Sequence, residues 1–295
     1  MQNVKKELQQ LQNVFNKQLE SKPQKLYKYK CFDKKTIDSI RNNYIWLSKL
    51  SDLNDPFESF INANFHPNKL INFVDDYHFF ADNDYTQLWH NRVKNGENVI
   101  EVLKSMIGNI QNTEEKMLAN DKLYYCYRNM CKFYMESSSD FIKLIDKSFL
   151  IGSLTTNPLS ITMWSHYADS HNGICIEYDL SENPYIDAMV LPVIYTNTTL
   201  SVDDIQDNEF LLYAMLLKSF DWQYEDEWRV IVPTQDNRFH AKPSAIYLGA
   251  KGWQNDKTFN EVKLLAKEKN IDLHLVHKSY TNYELEDFNF TQEFT

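Results

Sequence analysis

Glycine is scarce in this chain. Six residues in 295, at positions 96, 108, 152, 173, 249 and 252, make about 2% where soluble proteins carry about 7%. No G-x-G-x-x-G and no G-x-x-x-x-G-K-[ST] can be built from them. That argues against a Rossmann dinucleotide site and a phosphate-cradling NTPase loop, both of which need glycine so that backbone N–H groups can close on a phosphate. Cysteine is sparse as well: Cys31, Cys126, Cys131 and Cys175 form no C-x-x-C, and reduced thiols in a soluble, cytoplasmic protein are expected. Positive charge is the minority, with 31 Lys and Arg against 41 Asp and Glu and a net charge of −10. That balance argues against gripping DNA by bulk phosphate neutralisation and leaves room only for a local basic patch. The chain has no continuously apolar stretch long enough to span a membrane, and its first residues carry no signal-peptide core, so no membrane association is expected.

Against those absences stand a hydrophobic share of 43% and an aromatic share of 14%, ample for a packed core. Val4, Leu8, Leu11, Phe15 and Leu19 recur at helical spacing ahead of Pro23, which predicts an amphipathic helix over 1–22. Its narrow apolar stripe suits packing on the body or against a second copy of the chain. The rest, 23–295, reads as a single α+β domain. Strands are predicted at 25–32, 44–48, 148–154, 174–179, 189–195, 224–232, 245–249 and 272–277. Helices are predicted at 36–43, 203–220 and 256–269, and a helical insertion at about 67–147.

Three segments carry candidate chemistry. In YEDEWRVIV, strand alternation puts Tyr224, Asp226, Trp228, Val230 and Val232 on one face and Glu225, Glu227, Arg229 and Ile231 on the other. The second face reads either as a solvent-facing row of ion pairs or as two carboxylates facing a cleft and held by Arg229. Neighbouring carboxylates of that kind separate pKa values or stabilise a developing cation. In MWSHYADSHNGICIEYD, His166 is flanked by Trp164 and Tyr167, with His171 five residues on. The spacing supplies no metal-ligand set, and His166 is either a structural hydrogen-bonding group or a polar contact in a ligand site. Glu177 and Asp179 share a strand face, with ion pairing as the plainer reading. In NDPFE, Asn54, Asp55 and Glu58 sit beside Phe57 directly after a strand, as a tight Asx-capped turn or as a functional loop on a rigid scaffold. No G-x-S-x-G is present, so a Ser-His-Asp hydrolase is poorly supported.

Four segments, LYKY, IWLSKLSDLNDPFES, MWSHYADSHNGICIEYD and K-x₃-W-x-YEDEWR, run in that order between Lys25 and about Lys278. Together they resemble a large bacterial family, a domain of unknown function marked by NDPFE, MWxHYA and WxYExEWR signatures. More distantly, the arrangement resembles an ADP-ribosyltransferase core. That resemblance implies a split β-sheet with NAD, as substrate, bound in a cleft between small sheets without a Gly-rich loop and without a metal. LYKY would be the first strand, with Lys28 where Arg or His is usual and Tyr29 beside it. YIWLS would be the second, ending at Ser48. Glu227 would be the catalytic carboxylate, with Glu225 as its partner and His166 completing the catalytic set. Trp164 and Tyr167 would line the pocket, with Asn54, Asp55, Glu58 and Arg229 as further substrate contacts. The implied activity is ADP-ribosyl transfer or NAD cleavage acting on a macromolecular acceptor or on the nucleotide alone, in the setting of bacterial phage defence. Two other readings stay open. One is a nuclease or phosphodiesterase with Mg²⁺ or Mn²⁺ on Asp55, Glu58, Glu177 and Glu225; the other is a non-enzymatic sensor or partner-binding module.

Overall fold

The computed structural model describes residues 2–55, 57, 67–80, 83–197 and 210–294. The chain divides into two compact units, one of residues 1–58, 144–197 and 212–295 and one of 59–143 and 198–211. In chain order the elements are α1 (Gln2–Glu20), β1 (Lys25–Lys30), α2 (Lys34–Arg41), β2 (Tyr44–Trp46), α3 (Pro67–Asp75), α4 (Asn83–Lys94), α5 (Val99–Gly108) and α6 (Thr113–Asp146). They continue with β3 (Leu150–Thr155), α7 (Ile161–Tyr167), β4 (Ile174–Asp179), α8 (Pro184–Met189), β5 (Val190–Pro192), β6 (Ile194–Tyr195), α9 (Phe210–Leu216) and β7 (Leu217–Lys218). The last are β8 (Glu227–Val232), β9 (Arg238–His240), β10 (Ala245–Leu248), α10 (Asp256–Lys269), β11 (Asp272–Lys278), β12 (Leu285–Asn289) and α11 (Phe290–Phe294).

The first unit is α+β, built on an eight-stranded sheet of order β12-β11-β10-β4-β1-β3-β8-β5. Within this sheet only β10 and β11 run parallel. Segments such as ICIEYD are buried along nearly their whole length because both faces of the sheet are covered. On one face Leu26, Ile176, Ile246 and Leu273 meet Ile40 of α2 and Val262, Leu265 and Ala266 of α10. On the other, Tyr27, Tyr29, Cys175 and Tyr247 meet Met163 and Trp164 of α7. The covering helices start on side-chain caps: Asp33 accepts from the Thr36 N–H at 2.8 Å for α2, and Asn255 accepts from the Thr258 N–H for α10. Helix α1 lies against β5 and β6, so the predicted leader helix packs on the body.

The middle of this sheet is nearly parted. β1 pairs with β4 in full register, from Lys25↔Asp179 to Lys30↔Ile174, and β3 pairs with β8 from Leu150↔Val232 to Thr155↔Glu227. Between β1 and β3 there is a single pair, Tyr27↔Thr155. Beyond it the place beside β3 is taken by Ser48, which bridges Ile151 through two 2.8 Å backbone hydrogen bonds. Gly152 makes room for this wedge. A Cβ there would stand 2.9 Å from Leu47 and 3.2 Å from Ile45.

Several expectations are corrected here. YIWLS is not a strand of the main sheet: Tyr44–Trp46 pairs with β9 in a two-stranded sheet, and of this segment Ser48 alone forms a backbone bridge to β3. The segment 189–195 is two short strands, β5 and β6, rather than one. Of the helix expected at 203–220, residues 203–209 lie outside the described residues; α9 stops at Leu216 and is followed by β7, which pairs with β6. The strand expected from Tyr224 begins only at Glu227. Residues Phe220–Glu225 form a 3₁₀ turn closed by Asp226 at φ 43°, a left-handed conformation that aspartate tolerates better than most side chains.

The second unit is helical in all its described elements. Trp89, Val93, Val102, Leu103, Met106, Ile107 and Cys126 bury one another in its core, and burial pushes the Cys126 thiol up to about 11. Cys31, Cys126 and Cys175 are free thiols. Among the described residues no helix is long and apolar enough to cross a membrane.

Candidate functional site

The parting of β1 and β3 opens a cleft of about 200 Å³. One wall is β1, from Tyr27 to Lys30. The other is β3 with Ser153 and Thr155, backed by Lys218, Glu225 and Glu227. Ser48, Asn54 and Tyr167 complete the lining. Lys28 reaches across the gap, its Nζ donating to the Ser153 carbonyl at 2.8 Å. Burial lowers the Lys28 amine to about 7, and the Lys30 charge adds to the effect while Glu227 opposes it. Lys30 is lowered too, chiefly by burial.

The far wall is a buried charge cluster. Lys218, Glu225, Glu227 and Arg229 are 6%, 5%, 4% and 0% exposed. Lys218 Nζ donates to Glu225 Oε2 at 2.6 Å and to Glu227 Oε2 at 2.9 Å. Arg229 grips Glu227 with Nε at 2.9 Å and Nη2 at 3.1 Å, and its Nη1 donates to the Met215 carbonyl at 2.7 Å. Burial alone would raise the Glu227 carboxyl, but the Arg229 and Lys218 charges, with hydrogen bonds from Arg229 and Ser153, hold it well below the usual carboxylate range. Glu225 is served more lightly: Oε1 accepts from Tyr167 Oη at 2.6 Å and Oε2 from Lys218. Asn54 Nδ2 donates to the same Tyr167 oxygen at 2.9 Å. Burial first, and then the bond to Glu225, raises the Tyr167 phenol, which stays protonated and able to donate. Of the two readings open for this face, the solvent-facing row does not hold, since the cluster is buried, and Trp228, on the opposite face, packs into the core at 5% exposure.

Of the sequence candidates, Lys28, Tyr29, Ser48, Asn54, Tyr167, Glu225 and Glu227 share the cleft. Others are elsewhere. Trp164 is fully buried, its indole N–H held by the Pro158 carbonyl at 2.9 Å, so it is core rather than lining. His166 lies in a neighbouring cavity, 3.2 Å from Tyr224 Oη, because the turn of α7 that points Tyr167 into the cleft points His166 away. Arg229 is sealed behind Glu227 and supports the wall without lining it. Asp55 does not line the cleft; its Oδ1 accepts from the Phe57 N–H at 2.9 Å, an Asx turn, while the buried Oδ2 has no partner among the described residues. Glu58 lies outside the described residues. Glu177 is held apart by Lys25, Ser244 and Tyr247, so the three described carboxylates of the metal reading, Asp55, Glu177 and Glu225, do not share the cleft. Among the described residues no cluster of three His, Cys, Asp or Glu could hold a metal.

Sequence reasoning missed Lys218, Ser153 and Thr155. Lys218 had a signal, a lone cation closing the apolar run FLLYAMLLK. A lysine in such a run needs a buried counter-charge, and two glutamates follow within nine residues.

No curated protein and no solved structure matches the chain. The model of one family, described as "Protein of unknown function (DUF2971)", matches residues 163–230. That stretch supplies Tyr167, Lys218, Glu225 and Glu227 to the cleft, and over it the chain is similar to an uncharacterised domain-of-unknown-function family.

Proposed function

We propose that the cleft is the catalytic site of an NAD-consuming enzyme, an ADP-ribosyltransferase or NAD glycohydrolase. The observation that carries the reading is a carboxylate with accepting capacity to spare, Glu225, in the wall of a cleft that opens where the sheet parts. Cleavage of the nicotinamide–ribose bond develops positive charge on the sugar, and a fixed carboxylate beside that charge lowers the barrier. A carboxylate offers about four acceptor positions. Those of Glu227 are taken by Arg229, Lys218 and Ser153, whereas Glu225 uses one on each oxygen among the described residues. The roles expected from the sequence are therefore exchanged: Glu225 meets the substrate, and Glu227, held ionised by Arg229, positions Lys218 and through it Glu225. Lys28 supplies the cation that a pyrophosphate would meet.

Nicotinamide release from NAD tests the reading. The protein should release it with or without EDTA, and Glu225→Gln should fold normally and lose about 10²–10³ in turnover. Absence of both release and NAD binding would overturn the reading. Release that requires a metal would hand the site to the phosphodiesterase class.

A further inference from the structure

Beside the cleft lies a second cavity of about 800 Å³ that shares Lys28, Tyr29, Lys30 and Tyr167 with it. Its outer walls are the first turn of α2, strand β2 and Arg238. In a chain of net charge −10, this lining gathers five cations, Lys28, Lys30, Lys34, Lys35 and Arg238, against Asp33 and Asp38. The two carboxylates are already engaged. Asp33 caps α2, and Asp38 accepts from Tyr44 Oη at 2.7 Å and Asn42 Nδ2 at 2.8 Å and pairs with Arg238 at 3.8 Å, which leaves the lysines as the surplus. The side chains of Lys30, Lys34 and Lys35 form no hydrogen bond or ion pair with any described residue. Lys34 and Lys35 also stand in the first turn of α2, which holds no acidic residue, where the helix dipole disfavours cations. The groove also presents aromatic surface: Trp46 is 48% exposed, and the Arg238 guanidinium lies 4.9 Å over the Tyr44 ring. Unpaired cations that can track a phosphate backbone, beside rings on which bases can stack, are what sequence-tolerant single-strand binding requires.

We propose that this groove binds single-stranded nucleic acid. It is the local basic patch that the overall acidity leaves room for, and it recognises an unpaired strand because Trp46 can stack only on a base freed from a duplex. The groove stands without the NAD reading. Resting on that reading, a bound strand is the macromolecular acceptor, since the walls shared with the cleft put a nucleotide at its mouth.

The test is anisotropy of a fluorescein-labelled twelve-residue oligothymidylate titrated with the full chain at low salt, without NAD. Binding in the micromolar range is expected, weakening with salt. The double variant Lys34→Glu, Lys35→Glu should bind at least tenfold more weakly and with a shallower salt slope, by about 0.7 for each phosphate that is no longer neutralised. Trp46→Ala, an exposed change, should weaken binding about fivefold or more and leave the slope unchanged. The control Lys257→Glu, Lys267→Glu on exposed positions of α10 should bind like the parent. No binding by the parent, equal losses in groove and control variants, or a duplex that binds as tightly as the single strand would each overturn the proposal. Because nicotinamide release is assayed without nucleic acid, a failure here and a failure of the NAD reading are told apart.

Discussion

On the β8 side of the cleft, Lys218, Glu225, Glu227 and Arg229 are buried together and their charges cancel. On the β1 side, Lys28 and Lys30 share a strand face, and neither forms an ion pair with a described residue. The first wall compensates its own desolvation through close, multiply hydrogen-bonded contacts. The second leaves its desolvation standing, and the depressed Lys28 amine is the sign of it. The self-neutralised wall holds its carboxylates in fixed positions, whereas the uncompensated one is poised for an anion that the chain itself does not provide.

The largest effect should come from breaking the neutralised wall. Arg229→Met leaves Glu227 buried without its guanidinium and should cost about 3–5 kcal/mol in a urea melt; a loss under about 1 kcal/mol would mean the wall does not depend on that pair. Trp228→Ala, one residue away on the apolar face, should cost a comparable 3–5 kcal/mol through a cavity while leaving cleft chemistry in the fraction that folds.

The opposite sign is expected on the other wall. The Lys28 amine titrates near 7 when folded and near 10.4 when unfolded. Between those values the unfolded chain holds the proton more tightly, so stability rises with pH across that window and the penalty is full below it. Lys28→Met should therefore stabilise by a few kcal/mol at pH 6 and abolish the rise between about pH 7 and 10. A destabilised variant at pH 6 would show that Lys28 is compensated after all.

A smaller effect sharpens the same point. If Lys28 meets a pyrophosphate, binding takes up a proton, so NAD affinity should be flat below pH 7 and fall by up to about tenfold per pH unit above it. A calorimetric profile without slope from pH 6 to 9 would take Lys28 out of binding. Smallest should be Asn54→Ala, which removes one exposed bond to Tyr167, worth about 1 kcal/mol or less, read as a few-fold rise in KM with little change in kcat.

Strands β4, β10 and β11 were legible from their buried apolar residues, β1 from its tyrosines, which favour strands, and helix α10 from its apolar periodicity. The resemblance set β1, Asn54, Tyr167 and Glu225 at one pocket, and they do line one cleft, whereas Asp55, Trp164 and His166, set there too, do not. What escaped depended on partners distant in sequence or on one dihedral. Nothing local says that Tyr44–Trp46 pairs with β9, residues 238–240. The turn at Asp226 hides inside a segment that reads as an unbroken strand. Trp164 and Tyr167 look alike as aromatic pocket linings, and only the helical phase of α7 sends one to the core and the other to the cleft.

The single pair that joins β1 to β3 bears on solubility. A strand whose backbone groups lack a neighbour invites another chain to add to it, and sheets usually carry that hazard at their outer margins. Here the unpaired stretches of the two strands turn toward each other across a gap about one small molecule wide, with Ser48 closing one end and the Lys28 side chain crossing it. The protein opens a hydrogen-bonding surface in the middle of a sheet without offering that surface to a passing strand.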